Sequence, residues 1–397
     1  MHHPVPRIDL PTDPGRRRTL GLGLGLLAGA AGVGGCGGGA GIGGTGDTAG
    51  AFSSGTISGF GSVIVNGVRF DDSRARIEDD SGTQRSSAEL RLGMTTEIES
   101  DAVSTDSAGV SVAVARTIRF ASELLGPVTA TDLLANTLVV LGQTVRLSVA
   151  TVIDPRLAGG LASVVEVYGY FDGSAYVATR LDAVDSLITG YRIRGPVSAL
   201  DTTARRFRIG TQLFSYDSAT GVPASLANGQ FVRVLVRTTT VGGAWVVTAF
   251  RSAQAAVADV PEARLEGRIT AFSSAASFSI NGQPVDASAV TLAGLALGVR
   301  VEAEGPVRGG VLRATKLKIE SEDQVKADGV DLRGPIERID RGTRVFVLRG
   351  SAVSYAVAGI RYDNGSEADL AVGRQVEVRG SLSLDRTVVE ASRIKFV

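Results

Sequence analysis

The sequence predicts an all-β protein of five small, five-stranded barrels in tandem, preceded by an export signal and a glycine-rich tether. Three observations predict it: a short motif recurs five times, the same order of β-type segments follows each recurrence, and only 5% of the residues are aromatic. Small barrels fill their interiors with Val, Ile, Leu and Ala from alternating strand positions. Such cores need few aromatic side chains.

Residues 1–35 have the composition of an export signal. Arg16, Arg17 and Arg18 precede an apolar run from Leu20 to Val33, which is shorter than the roughly 20 residues that a membrane-spanning helix needs. A positive segment, a short apolar segment and small residues before a cleavage point are the parts of a secretory signal. The arginines resemble a twin-arginine signal, and the ordinary secretory route stays open.

Cys36 is the single cysteine of the chain and directly follows Val33-Gly34-Gly35. These residues resemble a bacterial lipobox, which implies cleavage before Cys36 and attachment of a diacylglyceryl group. A buried or incidental cysteine is the alternative. Two lipid chains hold a protein stably on a membrane, so we expect a cell-envelope lipoprotein, on the periplasmic or outer-membrane face in a Gram-negative bacterium. Residues 36–54 continue as a flexible, Gly-rich tether.

The rest of the chain divides into five units of similar length. Each unit opens with a Gly-x-Ile or Gly-x-Val motif, and the motifs begin 67 to 72 residues apart, at Gly55, Gly126, Gly195, Gly267 and Gly334. This period exceeds that of ordinary solenoids, so we expect each unit to have its own core. The predicted units are residues 55–122, 126–189, 190–254, 264–329 and 333–397.

A β-branched run with a turn follows each opening. In two units the turn is Asn-Gly, at Asn66-Gly67 and Asn281-Gly282. Both residue types tolerate the positive φ of a type I′ turn, so these runs predict tight hairpins.

A short segment with helix-start residues comes next, for example Ser87-Ala88-Glu89-Leu90, and predicts a short helix or 3₁₀ turn. The fourth strand alternates valines with charged residues, as in Val376-Glu377-Val378, which puts one face in a core and one in water. The third unit departs from the fifth-strand pattern, with Val247 and Phe250 where the other units carry Ala and an aliphatic residue.

Three strands, a helical turn and two strands are the order of a closed, five-stranded barrel of the OB type. The lipobox, the tether, the Gly-Pro-Val or Gly-Pro-Ile opening and the Val-x-Val-x-Gly fourth strand together resemble bacterial envelope proteins built from DUF5666, a domain of unknown function. The resemblance covers nearly the whole mature chain. It implies the same small barrels and no catalytic residue.

Composition excludes several chemistries. The 41 basic and 41 acidic residues cancel, and the two histidines, His2 and His3, lie inside the predicted signal. A mature chain without histidine has no Ser-His-Asp triad and no His or Cys ligand set for zinc. We therefore expect no catalytic residue, no metal, no cofactor and no nucleic-acid partner. Carboxylate pairs, as in glycosidases, stay open.

The densest acidic cluster lies in the first unit and comprises Asp71, Asp72, Glu78, Asp79 and Asp80. Carboxylate oxygens bind Ca²⁺, but the cluster lacks the spaced Asp-x-Asp-x-Asp-Gly pattern and arginines lie among the acids. We interpret it as a solvated turn with local ion pairs.

The third unit carries eight arginines and two aspartates, a net charge of +6, whereas the first unit has a net charge of −3. OB barrels bind extended polymers across a strand face, and guanidinium groups match carboxylates and phosphates. We therefore predict that this unit contacts an anionic envelope polymer or a lipid head group. The alternative is that the arginines decorate exposed strand faces or pair with neighbouring acidic units. The candidate anion-binding residues are Arg205, Arg206, Arg208, Arg233 and Arg237.

The sequence thus predicts a lipid-anchored, non-enzymatic envelope protein whose barrels are a binding or spacer module. Its expected partners are the membrane, through Cys36, and an anionic envelope polymer or another envelope protein. The alternatives are a carboxylate-dependent enzyme that acts on glycans and a purely structural stalk. Two acids with shifted pKa values in one cleft would favour the enzyme.

Overall fold

The computed structural model describes residues 50–132, 134–157, 163–184, 187–251, 257–321 and 329–397. The predicted signal, Cys36 and most of the predicted tether lie outside the described residues. The regular elements of the described chain are β-strands and three short 3₁₀ turns. The predicted all-β fold class with small barrels is confirmed.

The first barrel shows the strand pairing that recurs along the chain. Its elements are β1 (Ala51–Phe60), β2 (Val63–Val65), β3 (Val68–Asp71), β4 (Arg76–Glu78), a 3₁₀ turn (Ser87–Glu89), β5 (Thr95–Ser100), β6 (Ser104–Thr105) and β7 (Ser111–Phe120). Antiparallel pairs join β1 to β2, β2 to β3, β5 to β7 and β1 to β5, and a parallel pair joins β3 to β7. These five pairings form a closed circle, as in an OB barrel.

The second barrel consists of β8 (Leu124–Asp132), β9 (Thr137–Val140), β10 (Gln143–Ile153), a 3₁₀ turn (Pro155–Leu157), β11 (Val164–Phe171) and β12 (Tyr176–Ala183). The third consists of β13 (Tyr191–Pro196), β14 (Ser198–Asp201), β15 (Arg206–Ile209), β16 (Gln212–Ser215), β17 (Phe231–Val241) and β18 (Ala244–Arg251). The same circle closes in both, through the parallel pairs β10–β12 and β16–β18.

The fourth barrel consists of β19 (Val260–Ser274), β20 (Ser277–Ile280), β21 (Gln283–Asp286), β22 (Arg300–Arg308), β23 (Val311–Arg313) and β24 (Lys316–Ile319). The fifth consists of β25 (Val330–Pro335), β26 (Arg338–Asp340), β27 (Val345–Leu348), β28 (Ser351–Ser354), β29 (Arg361–Asp363), a 3₁₀ turn (Glu367–Asp369), β30 (Gln375–Leu382) and β31 (Val389–Phe396). Their parallel closures are β21–β23 and β28–β31.

Most local predictions agree with the structure. Asn66 and Asn281 have φ values of 51° and start the tight turns of two hairpins. In the third and fourth units the predicted helical segments form single hydrogen-bonded turns instead of 3₁₀ helices. The atypical Val247 and Phe250 are both buried, so the third barrel keeps an apolar fifth strand. The first strand begins at Ala51, inside the predicted tether, because Ala51 pairs with Ser100 of β5.

The expectation of one separate core per unit is wrong for four of the five units, and the fourth barrel has its own buried cluster, joined by Phe52 of the first. Residues 47–397 form one compact unit. The buried side chains of the first and fifth barrels form one continuous cluster, and those of the second and third form another. Strand β1 pairs with both β19 and β25, and β8 pairs with β13. Since a domain of this size buries a modest share of its surface alone, joining barrels adds burial and pairs exposed strand edges.

Hairpin turns make several of the contacts between barrels. In the second barrel, Gln143 Nε2 donates to the carbonyl of Ile209 in the third, at 3.0 Å. In the fifth barrel, the guanidinium of Arg349 lies over the ring of Phe60 in the first, 5.4 Å from its centre. The turns that close these hairpins therefore also contact neighbouring barrels.

Candidate functional site

A cleft of about 500 Å³ lies where the first, second, fourth and fifth barrels meet, and we call it the central cleft. Each barrel contributes to its lining, for example through Asn66, Val152, Glu302 and Asp331. A volume of this size is typical of small-molecule sites.

The fourth barrel supplies the charged part of the cleft lining. Arg300 forms an ion pair with Glu266, and its Nε lies 4.0 Å from an oxygen of Glu320. The ammonium of Lys318 lies 3.0 Å from Glu320 as well. These pairs leave Glu302 as the cleft carboxyl for which no ion pair is found among the described residues.

Burial raises the pKa of Glu302 to about 7, and the neighbouring carboxylates of Glu320, Glu266 and Glu304 add to the shift. A carboxyl with this pKa exchanges a proton near neutral pH. Sequence reasoning missed Glu302 as a functional candidate because it is one of many charges that alternate with valines. The alternation identifies an outward face, but it carries no signal that other barrels cover that face.

A second cavity, of about 200 Å³, lies where the first four barrels meet, and we call it the junction cavity. Its lining includes Thr95 of the first barrel, Tyr170 of the second, Arg233 of the third and Asn281 of the fourth. The Tyr170 hydroxyl lies 2.8 Å from the hydroxyl of Thr56, so this wall is tied to the first barrel.

A buried ion pair forms one side of the junction cavity. Arg194 Nη1 lies 3.0 Å from Glu123 Oε2, and both side chains are at most 7% exposed. Arg194 Nη2 also donates to the carbonyl of Asn281 at 2.7 Å, and its guanidinium lies over the ring of Phe231. Arg194 therefore links the third barrel to the fourth.

Asp80 and Arg233 line the same cavity but contact each other loosely. Arg233 Nε lies 3.7 Å from Asp80 Oδ2, and the two side chains are 8% and 4% exposed. Arg233 Nη2 lies 4.0 Å from Glu123. Among the described residues, neither Asp80 nor Arg233 makes a side-chain hydrogen bond, and burial lowers the pKa of Arg233.

The five predicted anion-binding arginines differ in burial and do not lie at one place. Arg233 is a correction, because it is buried against Asp80 in the junction cavity and does not lie on an exposed strand face. Arg237 is exposed four residues further along β17, a strand that does not pair with β15.

The other three arginines lie together at and beside β15. Arg206 and Arg208 are exposed, and no ion pair to either is found in the described part of the chain. Arg205 lies 3.9 Å from Asp217 and over the ring of Tyr216. We call Arg205, Arg206 and Arg208 the arginine face.

The predicted acidic cluster is in part a solvated turn with local ion pairs. Asp79 accepts hydrogen bonds from Ser81 and Arg85 on its own loop. Asp80 departs from the prediction, because its carboxylate is buried and pairs with Arg192 and Arg233 of the third barrel. These two arginines therefore follow the alternative hypothesis, in which arginines of the third unit pair with a neighbouring acidic unit.

Within the described ranges, no group of three or more Asp, Glu, His or Cys side chains is placed to hold a metal ion. The same part of the chain contains no helix of sufficient length and apolarity to cross a membrane.

Comparison with known proteins identifies one family. Residues 126–182, 266–318 and 333–395 match the model of DUF5666, a domain of unknown function. These segments fall on the second, fourth and fifth barrels. No curated protein matches the chain.

Among solved structures, drosophila Unr CSD456 is similar over 54% of this chain and 99% of its own, at 15% identity and a TM-score of 0.14. A likeness at this TM-score carries no argument about fold or function. The family likeness therefore rests on three matched segments: the second, fourth and fifth barrels are similar to the domain of unknown function DUF5666.

Proposed function

We propose that this protein is a lipid-anchored envelope protein and that its packed barrels form a non-catalytic binding body. Cys36 is the proposed attachment point of the lipid. The compact packing of residues 47–397 supports a body that presents surfaces from several barrels, and it disfavours a stalk of separate units. No catalytic residue is assigned to this function.

The arginine face is the proposed contact with an anionic envelope polymer. The observation that carries this proposal is the exposure of Arg206 and Arg208 on one strand face without an ion pair among the described residues. Phe207 between them is buried, so both guanidinium groups project from the same side of β15. Arginine binds carboxylates and phosphates through paired hydrogen bonds.

Retention of the full chain on an immobilised anionic polysaccharide tests this contact. We expect Arg206→Ser/Arg208→Ser to elute at lower salt than the wild type, because two exposed positive charges are lost. The control is Arg74→Ser/Arg338→Ser, which removes the same charge from exposed positions on the first and fifth barrels. Equal elution of the two double variants would remove the arginine face from the proposal. Vesicles of anionic phospholipid form a second arm that tests a lipid head group instead.

Metabolic labelling tests the anchor. A radiolabelled fatty acid should enter the wild-type protein and not Cys36→Ala, and the labelled protein should sediment with membranes. Equal labelling of both proteins would contradict attachment at Cys36.

A carboxylate-dependent enzyme that acts on glycans is the second candidate function, and the central cleft favours it. Glu302, with its raised pKa, would be the general acid, and Glu266 or Glu320 the second carboxylate. Release of reducing sugar from envelope glycan by the wild type, and its loss in Glu302→Gln, would establish this activity. Equal release by both proteins would exclude Glu302 from it.

A further inference from the structure

The junction cavity contains charged groups whose hydrogen-bonding capacity the protein does not use. A guanidinium has five N–H donors and a carboxylate accepts several hydrogen bonds. Arg233 Nε and Asp80 Oδ2 are buried and make no hydrogen bond with the described residues, although Asp80 forms ion pairs with Arg192 at 3.3 Å and with Arg233. Buried ionic groups are normally hydrogen-bonded, so these two atoms retain hydrogen-bonding capacity for a partner from outside the chain.

The chemistry of the lining limits what that partner is. It must accept hydrogen bonds from Arg233 and donate hydrogen bonds to Asp80, two groups whose nearest atoms lie 3.7 Å apart. Adjacent hydroxyl groups meet both needs, since each hydroxyl donates one hydrogen bond and accepts two. The lining also contains Glu78, Asp79, Glu97 and Arg119, so its carboxylates outnumber its guanidinium groups by five to three. A neutral ligand adds no further buried charge to them.

The rest of the lining also suits a hydroxylated ring. Ser54, Thr95 and Thr96 bring further hydroxyl groups to the cavity, and Phe120 and Tyr170 bring aromatic rings. The volume of about 200 Å³ holds about six or seven water molecules. This space suits one sugar ring and is too small for a longer glycan segment.

We propose that the junction cavity binds a single neutral sugar residue, free or at the end of a glycan, with adjacent hydroxyls bound by Arg233 and Asp80. The site is formed jointly by the first four barrels, so it exists only when they are packed together. It is separate from the arginine face, which binds through exposed charge. A negative result for either site therefore does not bear on the other.

Saturation-transfer NMR on the full chain tests the proposal, with glucose, galactose, mannose and N-acetylglucosamine as millimolar probes. We expect transfer to at least one sugar, and binding about tenfold weaker or more in Asp80→Asn, since a hydrogen bond to a charged group is lost. Ala121→Leu, which narrows the cavity without touching the ion pairs, should weaken the same binding. Asp101→Asn, a change to a surface ion pair, is the matched control and should bind as the wild type does.

Two results would overturn the site. One is the absence of saturation transfer to all four sugars, which would mean that water alone fills the cavity. The other is binding that Asp80→Asn and Ala121→Leu leave unchanged, which would place the sugar elsewhere. If Asp80→Asn does not fold, Ala121→Leu decides between these outcomes.

Discussion

The third barrel carries two sets of arginines, one buried between barrels and one exposed to solvent. Arg194 and Arg233 point outward from their own barrel, but neighbouring barrels cover them. Their carboxylate partners come from the first barrel and from the segment between the first and second barrels. Arg206 and Arg208 point outward into solvent. Both sets belong to the same excess of positive charge in the sequence.

The difference shows that net charge does not locate a binding surface in a packed repeat protein. About half of the positive excess of the third barrel neutralises acidic residues at the junction between barrels. The exposed remainder is what stays available for an anionic ligand. Variants that separate the two sets should therefore differ strongly in their effect on stability.

The largest effect is expected for Glu123→Ala. This change leaves Arg194 and Arg233 buried without their shared carboxylate, so the free energy of unfolding should fall by about 3–5 kcal/mol. Urea unfolding measures it. Arg206→Ser, from the exposed set, should change the same quantity by less than about 0.5 kcal/mol. Equal small effects would show that the inner set is hydrated.

A smaller loss of stability is expected when a glycine at a contact between barrels is replaced by alanine. Gly93 has a φ of +85°, and a Cβ there would lie 2.7 Å from the carbonyl oxygen of Thr179 in the second barrel. Gly67 has a similar φ of +70° but no atom near its Cβ position. Both Gly→Ala variants carry the conformational cost, so the excess loss in Gly93→Ala, about 1–3 kcal/mol, reports the contact between barrels.

Thermal unfolding of the two alanine variants side by side measures this excess. Identical midpoints would mean that the first and second barrels do not pack as closely as described.

A dependence of stability on pH extends the comparison from arginines to acids. The pKa of Glu302 is raised from 4.5 to about 7 in the folded protein. The folded state therefore holds this proton more tightly than the unfolded chain. The resulting stability is present below about pH 4.5 and is lost as the pH rises through about 7. Glu302→Gln should flatten this fall in denaturant titrations, whereas Glu390→Gln, at an exposed position, should not. A fall that survives in Glu302→Gln belongs to other groups.

The strand order could be predicted from the sequence because its signals are local. The Asn66-Gly67 turn and the alternating valines of the fourth strands each predict a local structure from a few neighbouring residues. Both predictions are confirmed. The arrangement of the barrels could not be predicted. Arg233 and Arg237 occupy equivalent outward positions four residues apart on β17, yet one is buried and the other exposed.

Residues far away in the chain decide that difference. Arg233 is covered by Asp80 and Glu123, which precede it by more than 100 residues. The residue pattern along β17 gives no indication that Asp80 and Glu123 cover this position. For the same reason the sequence predicts a solvent-exposed acidic cluster throughout, although Asp80 is buried.

The barrels pack into one body, and the junction cavity, the buried ion pairs and the central cleft all depend on this packing. Small-angle X-ray scattering from residues 47–397 measures it. A single compact body of this length predicts a radius of gyration of about 20 Å. A radius well above about 25 Å would mean that the barrels are strung out along the chain, and it would contradict the account.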